Sequence, residues 1–287
     1  MDKIELIKPE PQHVPELGRI CFEAFRSIHD RHAFPRDFPD VETAVKVIGL
    51  LSGLPEVFGV AARVEGRLAG SNFLLLTDAV GGIGPITIDP TFQGRGVGRS
   101  LMQAVVDHAT ERGVERVRLL QDSFNTASLS LYASLGFDVR EPVGVLRAPP
   151  AAEPEPTVRL ATAADLPALG ELGERFYKVN RSGEMTAWSR HGFPQLVRET
   201  GGRIRGYLSP GMLGHGVAET EADALALIGQ LSRHASPGRD LFFLPLRQTS
   251  LYRAAMGAGC RLIKVMTLMT RGPYEEPEPV WMPSILY

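Results

Sequence analysis

Apolar and polar positions follow two alternating periods along residues 1–147. A short apolar run, Ile4 to Ile7, predicts a strand over 3–8. Leu17, Ile20, Cys21 and Phe25 then recur at helical spacing and predict a helix over 13–27. A polar, aromatic loop from His29 to Asp40 follows, and Val41, Val45, Ile48 and Leu51 line one face of a helix predicted over 41–52. Two apolar runs near 57–64 and 68–77, joined by Glu65-Gly66, read as a hairpin. A strand over 83–88 leads through a glycine-rich loop to a helix over 98–112. A strand over 116–121, a helix over 126–135 and strand residues over 137–147 complete this half. Strands first, then strand–helix alternation, predict an α/β fold with a mixed sheet.

The pattern is interrupted at Ala148-Pro149-Pro150-Ala151-Ala152-Glu153-Pro154-Glu155-Pro156. Proline fixes φ and removes a backbone donor, so neither a helix nor a central strand continues through this stretch, which reads as a semi-rigid spacer. Around it the chain repeats itself. Val14-Pro15-Glu16-Leu17-Gly18-Arg19-Ile20 recurs as Leu166-Pro167-Ala168-Leu169-Gly170-Glu171-Leu172, and Val158 to Leu160 precedes it as Ile4 to Ile7 precedes the first copy. Tyr132-Ala133-Ser134-Leu135-Gly136-Phe137 has a looser echo in Ala255-Met256-Gly257-Ala258-Gly259-Cys260. Two echoes in one order predict a duplication: a domain over 1–147, a linker over 148–156 and a second domain over 157–287. The separation shrinks from 152 residues at the first echo to 123 at the second, so the second copy is the shorter.

Length agrees, since 287 residues suit about two domains. The formal net charge is −2, and neither half has the basic excess that phosphate-backbone binding needs, so nucleic acid is not an expected partner. Two cysteines, Cys21 and Cys260, make neither a disulfide framework nor a four-ligand zinc site. Met1-Asp2-Lys3-Ile4-Glu5 lacks the apolar core of a secretory leader, and no apolar run approaches about 18 residues. The expectation is a cytoplasmic globular protein with no membrane partner.

The most informative stretch is Ile86-Thr87-Ile88-Asp89-Pro90-Thr91-Phe92-Gln93-Gly94-Arg95-Gly96-Val97-Gly98-Arg99: a strand, an Asp-Pro stop, a loop with three glycines and a helix start. Glycine lets the backbone turn its N–H groups inward, and a helix start adds unpaired donors and the positive end of its dipole, a combination suited to a pyrophosphate. The Gly-Lys-Ser/Thr of a nucleoside triphosphate loop is absent, and Arg99 stands where a dinucleotide fingerprint needs its third glycine.

With Gln93 before the glycines, the segment resembles the acyl-coenzyme A loop Gln-x-x-Gly-x-Gly/Ala of the GNAT N-acetyltransferase superfamily. Downstream, Asn125-x-x-Ser128-x-x-x-Tyr132-x-x-x-Gly136-Phe137 resembles that superfamily's Asn-x-x-Ala-x-x-x-Tyr-x-x-x-Gly-Phe helix, with serine in place of alanine. The resemblance covers nearly all of residues 3–147. Together with the repeat, it implies two tandem GNAT-like domains, each a mixed, mostly antiparallel sheet flanked by helices.

The resemblance implies an acyltransferase using acetyl-coenzyme A, without a metal, on a small-molecule or peptide amine; a homodimer is compatible with it. It assigns pantetheine contacts to the backbone of Ile86, Thr87 and Ile88. The pyrophosphate falls to Gln93, Gly94, Arg95, Gly96, Val97, Gly98 and Arg99, and the pantetheine arm to Asn125, which is also a good helix N-cap. Tyr132 becomes the general acid for the departing thiolate. The base stays open among Asp122, His29, His32 and a water chain, with both histidines expected at the surface. The loop Ile28 to Phe38 is expected either to form the acceptor pocket or to be a solvated loop pinned by its phenylalanines. The alternative is a non-catalytic coenzyme A-binding or regulatory module.

The second half has no such loop. Its counterpart, Gly211 to Glu221, carries Glu219 and Glu221, which repel a pyrophosphate. Aligning Gly259 with Gly136 sets Gln248 opposite Asn125 and Ala255 opposite Tyr132, so this copy is expected to be degenerate. The apolar ending Pro279-Val280-Trp281-Met282-Pro283-Ser284-Ile285-Leu286-Tyr287 should dock rather than stand in water. It is expected on its own domain or a partner chain, or over the first domain's cleft. In the last case it would resemble the two-domain N-myristoyltransferases, with the Tyr287 carboxylate as a candidate base.

Overall fold

The computed structural model describes residues 3–151, 153–236 and 238–287. Met1 and Asp2 of the expected start and Ala152 of the linker lie outside the described residues. The first half runs β1 (Ile4–Ile7), α1 (Val14–His32), α2 (Val41–Gly53), β2 (Val57–Val64), β3 (Arg67–Leu75), β4 (Val80–Ile83), β5 (Thr87–Ile88), α3 (Val97–Glu111), β6 (Arg116–Asp122), α4 (Thr126–Ser134) and β7 (Asp138–Arg147). The second repeats that succession: β8 (Val158–Leu160), α5 (Leu166–Leu172), α6 (Ser182–Arg190), β9 (Leu196–Thr200), β10 (Arg203–Leu208), β11 (Gly216–Ala218), α7 (Glu221–His234), β12 (Leu241–Pro245), α8 (Thr249–Gly257) and β13 (Arg261–Arg271). A two-residue strand, β14 (Trp281–Met282), follows.

Local chemistry sets these boundaries. Asp40 caps α2 by accepting from the Thr43 N–H at 2.7 Å, and Ala33 ends α1 in the left-handed region at φ 56°. Glu65 and Gly66, both at positive φ, close the predicted hairpin between β2 and β3. Helix α1 outlasts its sequence-predicted end by more than a turn, because the apolar stripe gives way to His29, whose side chain is also buried.

Two sheets result, in a mixed α/β architecture. The larger runs β1-β2-β3-β4-β6-β13-β7-β12, with β5 paired to β3 alone. The smaller runs β14-β11-β10-β9-β8. The repeat predicts two similar domains but not this sharing of strands. Strand β13 of the second half lies between β6 and β7 of the first, antiparallel to both, and β12 adds beyond β7. The proline-rich stretch therefore joins two halves whose last strands are exchanged. It is pinned along α7: Ser232 Oγ donates to the Pro149 carbonyl at 2.6 Å, and Gln230 Nε2 to the Glu153 carbonyl at 2.9 Å.

Helix α3 covers one face of the larger sheet through Leu101, Met102, Val105 and Val106, packed with Val60, Val117 and Leu119. On the opposite face, Leu17, Ile20 and Ile48 of α1 and α2 join Leu120, Tyr177, Tyr207 and Leu286 in one apolar cluster, so the core is continuous between the halves. Burying side chains of this size contributes roughly 1.5–3 kcal/mol each. No helix among the described residues is long and apolar enough to cross a membrane.

Candidate active site

The site begins where two neighbouring strands part. β4 runs parallel to β6, with Val80 opposite Arg116, Gly81 opposite Val117 and Gly82 opposite Arg118. After Gly82 that pairing stops. The chain bends at Gly84, whose φ of 146° favours glycine, and β5 resumes bonded only to β3, with Ser71 opposite Thr87 and Gly70 opposite Ile88. Beyond Arg118, β6 pairs only with β13. A gap remains between Ile86–Ile88 and Leu119–Gln121, and among the described residues the edge of β5 that faces it has no ladder. Gly70 permits the close packing behind β5, since a Cβ there would stand 2.2 Å from the Thr87 carbonyl oxygen.

One end of the gap is the glycine loop. Asp89 terminates β5 and accepts from the Thr91 N–H at 2.9 Å, while Arg19 of α1 pairs with it at 3.2 Å. Gly94 and Gly96 take φ of 76° and 86°, and a Cβ on Gly94 would meet nothing within 4 Å. Gly96 is the N-cap of α3, so the first N–H groups of that helix open on the loop. Gly98 rests against Ile88 and Leu131, where a Cβ would come within 3.3 Å. Gln93 Nε2 donates to the Ile88 carbonyl at 3.5 Å, Arg95 lies over the Phe92 ring, and Arg99 donates to Ser134 Oγ at 2.7 Å. These residues form an open cradle of N–H groups edged by two arginines, which fits a pyrophosphate. In the strand beside it Thr87 Oγ1 is buried, with no hydrogen-bond partner among the described residues.

The other end is built by β6 and α4. Asn125 caps α4, its side-chain oxygen accepting from the Ser128 N–H at 3.2 Å, which leaves the amide N–H groups for another partner. Two turns on, Tyr132 is buried against Phe137, with its phenol near Ser128 one turn back. Burial pushes that phenol up to about 12, the charge of Asp122 adds to the rise, and the Ser128 hydroxyl opposes it.

Asp122, at the end of β6, belongs to a buried cluster. Lys264 Nζ is 2.7 Å from Asp122 Oδ1, an ion pair not aligned as a hydrogen bond, and donates to both oxygens of Asp37 at 2.7 and 2.8 Å. His29 Nε2 lies 3.4 Å from Asp122 Oδ2, 3.6 Å from Asp37 Oδ2 and 3.3 Å from Lys264 Nζ, while its Nδ1 bonds the Phe25 carbonyl at 2.8 Å. Burial raises the Asp122 carboxyl above the usual carboxylate range, and Lys264 opposes the rise. His29, Asp37 and Asp122 present ligand atoms within 4.8 Å of one another, and the cation joining the two carboxylates is Lys264.

Of the candidate bases, then, Asp122 and His29 are adjacent, and His29 is fully buried rather than at the surface because α1 turns it onto the sheet. His32 is exposed, beside the Phe124 ring. The loop after α1 is pinned by its phenylalanines: Phe34 stacks on Phe124 at 4.3 Å, and Phe38 meets Phe25 edge-on. That pinning turns Asp37 inward. Lys264 escapes sequence reasoning, since only the exchange of β13 carries it to the first half. The Tyr287 carbonyl oxygen accepts from Arg181 Nη1 at 3.0 Å and from the Ser284 N–H at 2.8 Å, so Arg181 and Ser284 hold it in place; the carboxylate acting on the Tyr132 phenol is that of Asp122.

Among the described residues, the second half lacks this equipment. β4 starts at Val80 and α3 at Val97, whereas β11 starts at Gly216 and α7 at Glu221, so the interval that holds the glycine loop is twelve residues shorter. Ala255 stands on α8 where Tyr132 stands on α4, and Glu221 and Asp223 occupy the first turn of α7.

Residues 17–137 match the model of the acetyltransferase (GNAT) family. A mycothiol acetyltransferase from Thermobifida fusca is 38% identical over 97 residues, which take in 30% of each chain. The matched segment therefore spans less than a third of that relative's length. Among solved structures, a candidate acetyltransferase from Pyrococcus horikoshii superposes with a TM-score of 0.78 at 15% identity, over 99% of this chain and 94% of that one. A tandem GNAT protein from the clavulanic acid biosynthesis pathway superposes with a TM-score of 0.59 at 13% identity, over 95% and 100%. These two likenesses are of fold.

Proposed function

The chain is a member of the GNAT acetyltransferase family through residues 17–137, and on that premise we propose that its first half moves an acetyl group from acetyl-coenzyme A directly to an amine. The observation that carries this reading is the unladdered gap between β5 and β6, which ends on the glycine cradle at one side and on Tyr132 and Asp122 at the other. The backbone of Ile86, Thr87 and Ile88 and the free amide of Asn125 hold the pantetheine arm. The N–H groups from Gly94 to Arg99 hold the pyrophosphate, with Gln93 bracing the loop and Arg95 and Arg99 supplying counter-charge.

Acetyl-coenzyme A supplies the thioester. The acceptor amine forms the new C–N bond and the C–S bond breaks. Asp122 takes the proton the amine loses, and Tyr132 gives its proton to the departing sulfur. Burial makes Asp122 a stronger base, and Lys264 opposes part of that rise. A phenol near 12 stays protonated across the working range, so donation accompanies C–S cleavage rather than preceding it. We propose residues 1–147 as the catalytic domain, 148–156 as linker and 157–287 as a supporting domain that lends Lys264.

The acceptor class is a small-molecule or peptide amine. The name of the Thermobifida fusca relative makes the mycothiol series the first to try. The test is free-thiol release from acetyl-coenzyme A with a panel of amines, alongside calorimetry of coenzyme A binding. Amine-dependent release is expected. Binding with no release for any amine would leave the non-catalytic module as the better reading.

A further inference from the structure

The second half repeats the framework of the cleft. β11 stands in place of β4 and β5, β12 in place of β6, α7 in place of α3, and Gln248 holds the N-cap position of α8 as Asn125 holds that of α4, but with its side chain turned away from the helix. In the first half no strand among the described residues pairs along the edge of β5 that faces the gap. In the second, β14 runs along the corresponding edge. It pairs antiparallel with β11, with Gly216 opposite Met282 and Val217 opposite Trp281, and the Ala218 N–H donates to the Val280 carbonyl at 3.1 Å. The Gln248 side chain serves the same strand from the other side. Its Nε2 donates to the Trp281 carbonyl at 2.6 Å, and its Oε1 accepts from the Trp281 N–H at 3.3 Å. One side-chain amide thus reads both backbone groups of one residue, and Val280, Trp281 and Met282 are buried by the arrangement.

We infer that the second half's strand gap is an amide-recognition slot filled in cis by residues 279–282, with Gln248 as its reading residue. The parallel with a pantetheine arm rests on the function proposed above; the occupancy itself rests on β14 and Gln248. Pantetheine is a chain of secondary amides, and so is a polypeptide strand, so the geometry that takes one serves the other. What differs is the phosphate end. Glu221 and Asp223 in the first turn of α7, with Thr220 as its cap, present acid where the first half presents open N–H groups. The slot therefore suits a neutral amide chain and turns away a nucleotide.

The occupant does not stop there. Past Pro283 the chain packs Leu286 against Gly82, where a Cβ would come within 2.7 Å of the Leu286 side chain, and sets the Tyr287 ring beneath Arg118 at 5.4 Å and Arg181 at 4.0 Å. Gly82 and Arg118 are the last pair before β4 and β6 part. The plug of the second slot is therefore also the wedge at the fork of the first.

Two measurements on the full chain decide this. Gln248→Leu removes both hydrogen bonds and keeps the volume. Amide exchange at Ala218 and Trp281 should quicken at least tenfold, while Ala61 in the β2–β3 ladder keeps its rate. Gln248→Glu, which retains an acceptor for the Trp281 N–H, should fall between. Unchanged exchange at Ala218 and Trp281 in Gln248→Leu overturns the inference. Calorimetry with coenzyme A should count one site per chain in the wild type and in Gln248→Leu; two sites in either overturns the assignment of the slot to the chain's own segment. Zero sites with the expected exchange pattern would refute the proposed function and leave the slot standing.

Discussion

Lys264 of the second half stands 2.7 Å from Asp122 of the first, and both are buried. The exchanged strand β13 thus carries the cation that balances the proposed base. A carboxylate buried this deeply is costly unless paired, and two carboxylates share this ammonium. The linkage sign follows. Folding raises the Asp122 carboxyl, so its contribution to stability is greatest below the unfolded value near 4 and is lost as pH rises through the folded one.

Lys264→Met leaves Asp37 and Asp122 without their cation. It should cost about 3 kcal/mol at pH 7, the usual scale for breaking a buried pair from one side. The deficit should shrink toward pH 5, because Asp122 is then raised further and protonates more readily in the fold. Urea unfolding at both pH values measures it. The pH at which thiol release gains its base should move upward, and a variant with unchanged stability and pH profile would remove Lys264 from the site.

Tyr132→Phe deletes a hydroxyl whose nearest polar neighbour is Ser128 of the same helix, so the fold and coenzyme A affinity should hold. Turnover should fall at least tenfold, the lower end of what a positioned general acid contributes being about a hundredfold. The wild-type profile should show no alkaline limb from this phenol below about pH 11, since burial holds it near 12. Steady-state thiol release from pH 6 to 10 checks both statements.

Asn125→Asp separates the two roles of its side chain. Aspartate still accepts from the Ser128 N–H, so the cap on α4 survives and the melting temperature should change little. It loses the amide donors assigned above to the pantetheine arm and adds a negative charge in their place. KM for acetyl-coenzyme A should rise at least fivefold, with kcat less affected. Asn125→Ala, by contrast, should also lose about 1 kcal/mol of stability with its cap.

What was legible in the sequence was whatever depends on neighbours along the chain. The 3.6-residue stripe of Leu17, Ile20 and Cys21, the Glu65-Gly66 turn and the Gln93 to Gly98 loop all encode their geometry within a few residues, and each element forms within a few residues of its expected place. Gln248 opposite Asn125 was legible too, because the repeat keeps the helix cap in register. The strand exchange was not. β7 and β13 have the same alternation, and no local pattern says which of them lies beside β6. His29 looked like a loop residue because the helix signal fades at Phe25, and only the sheet beneath it explains its burial. The bend that divides β4 from β5 at Gly84 is likewise a matter of what β6 does opposite.

Glu141 offers a test of the exchanged sheet away from the proposed chemistry. It lies on β7 opposite Leu268 of β13, buried, with Oε2 lacking any hydrogen bond. Burial pushes its carboxyl up to about 7; Arg247 opposes the rise, but that guanidinium is already bonded to Glu276 at 2.7 Å, and Glu276 adds to it. A raised carboxyl gives stability that is fully present below the unfolded value near 4.3 and is lost as pH climbs through about 7. Above that the fold carries an unpaired buried charge. Glu141→Gln keeps the shape and removes the ionisation, so it should match the wild type near pH 4 and begin to exceed it by pH 5. At pH 8 it should exceed the wild type by about 1–2 kcal/mol, a shift of one unit being worth about 1.36 kcal/mol before solvent screening. Urea unfolding at pH 5, 6.5 and 8 gives the curve. A difference that stays flat across that range would mean that β7 and β13 leave the carboxylate open to water, which the observed pairing of those strands does not allow.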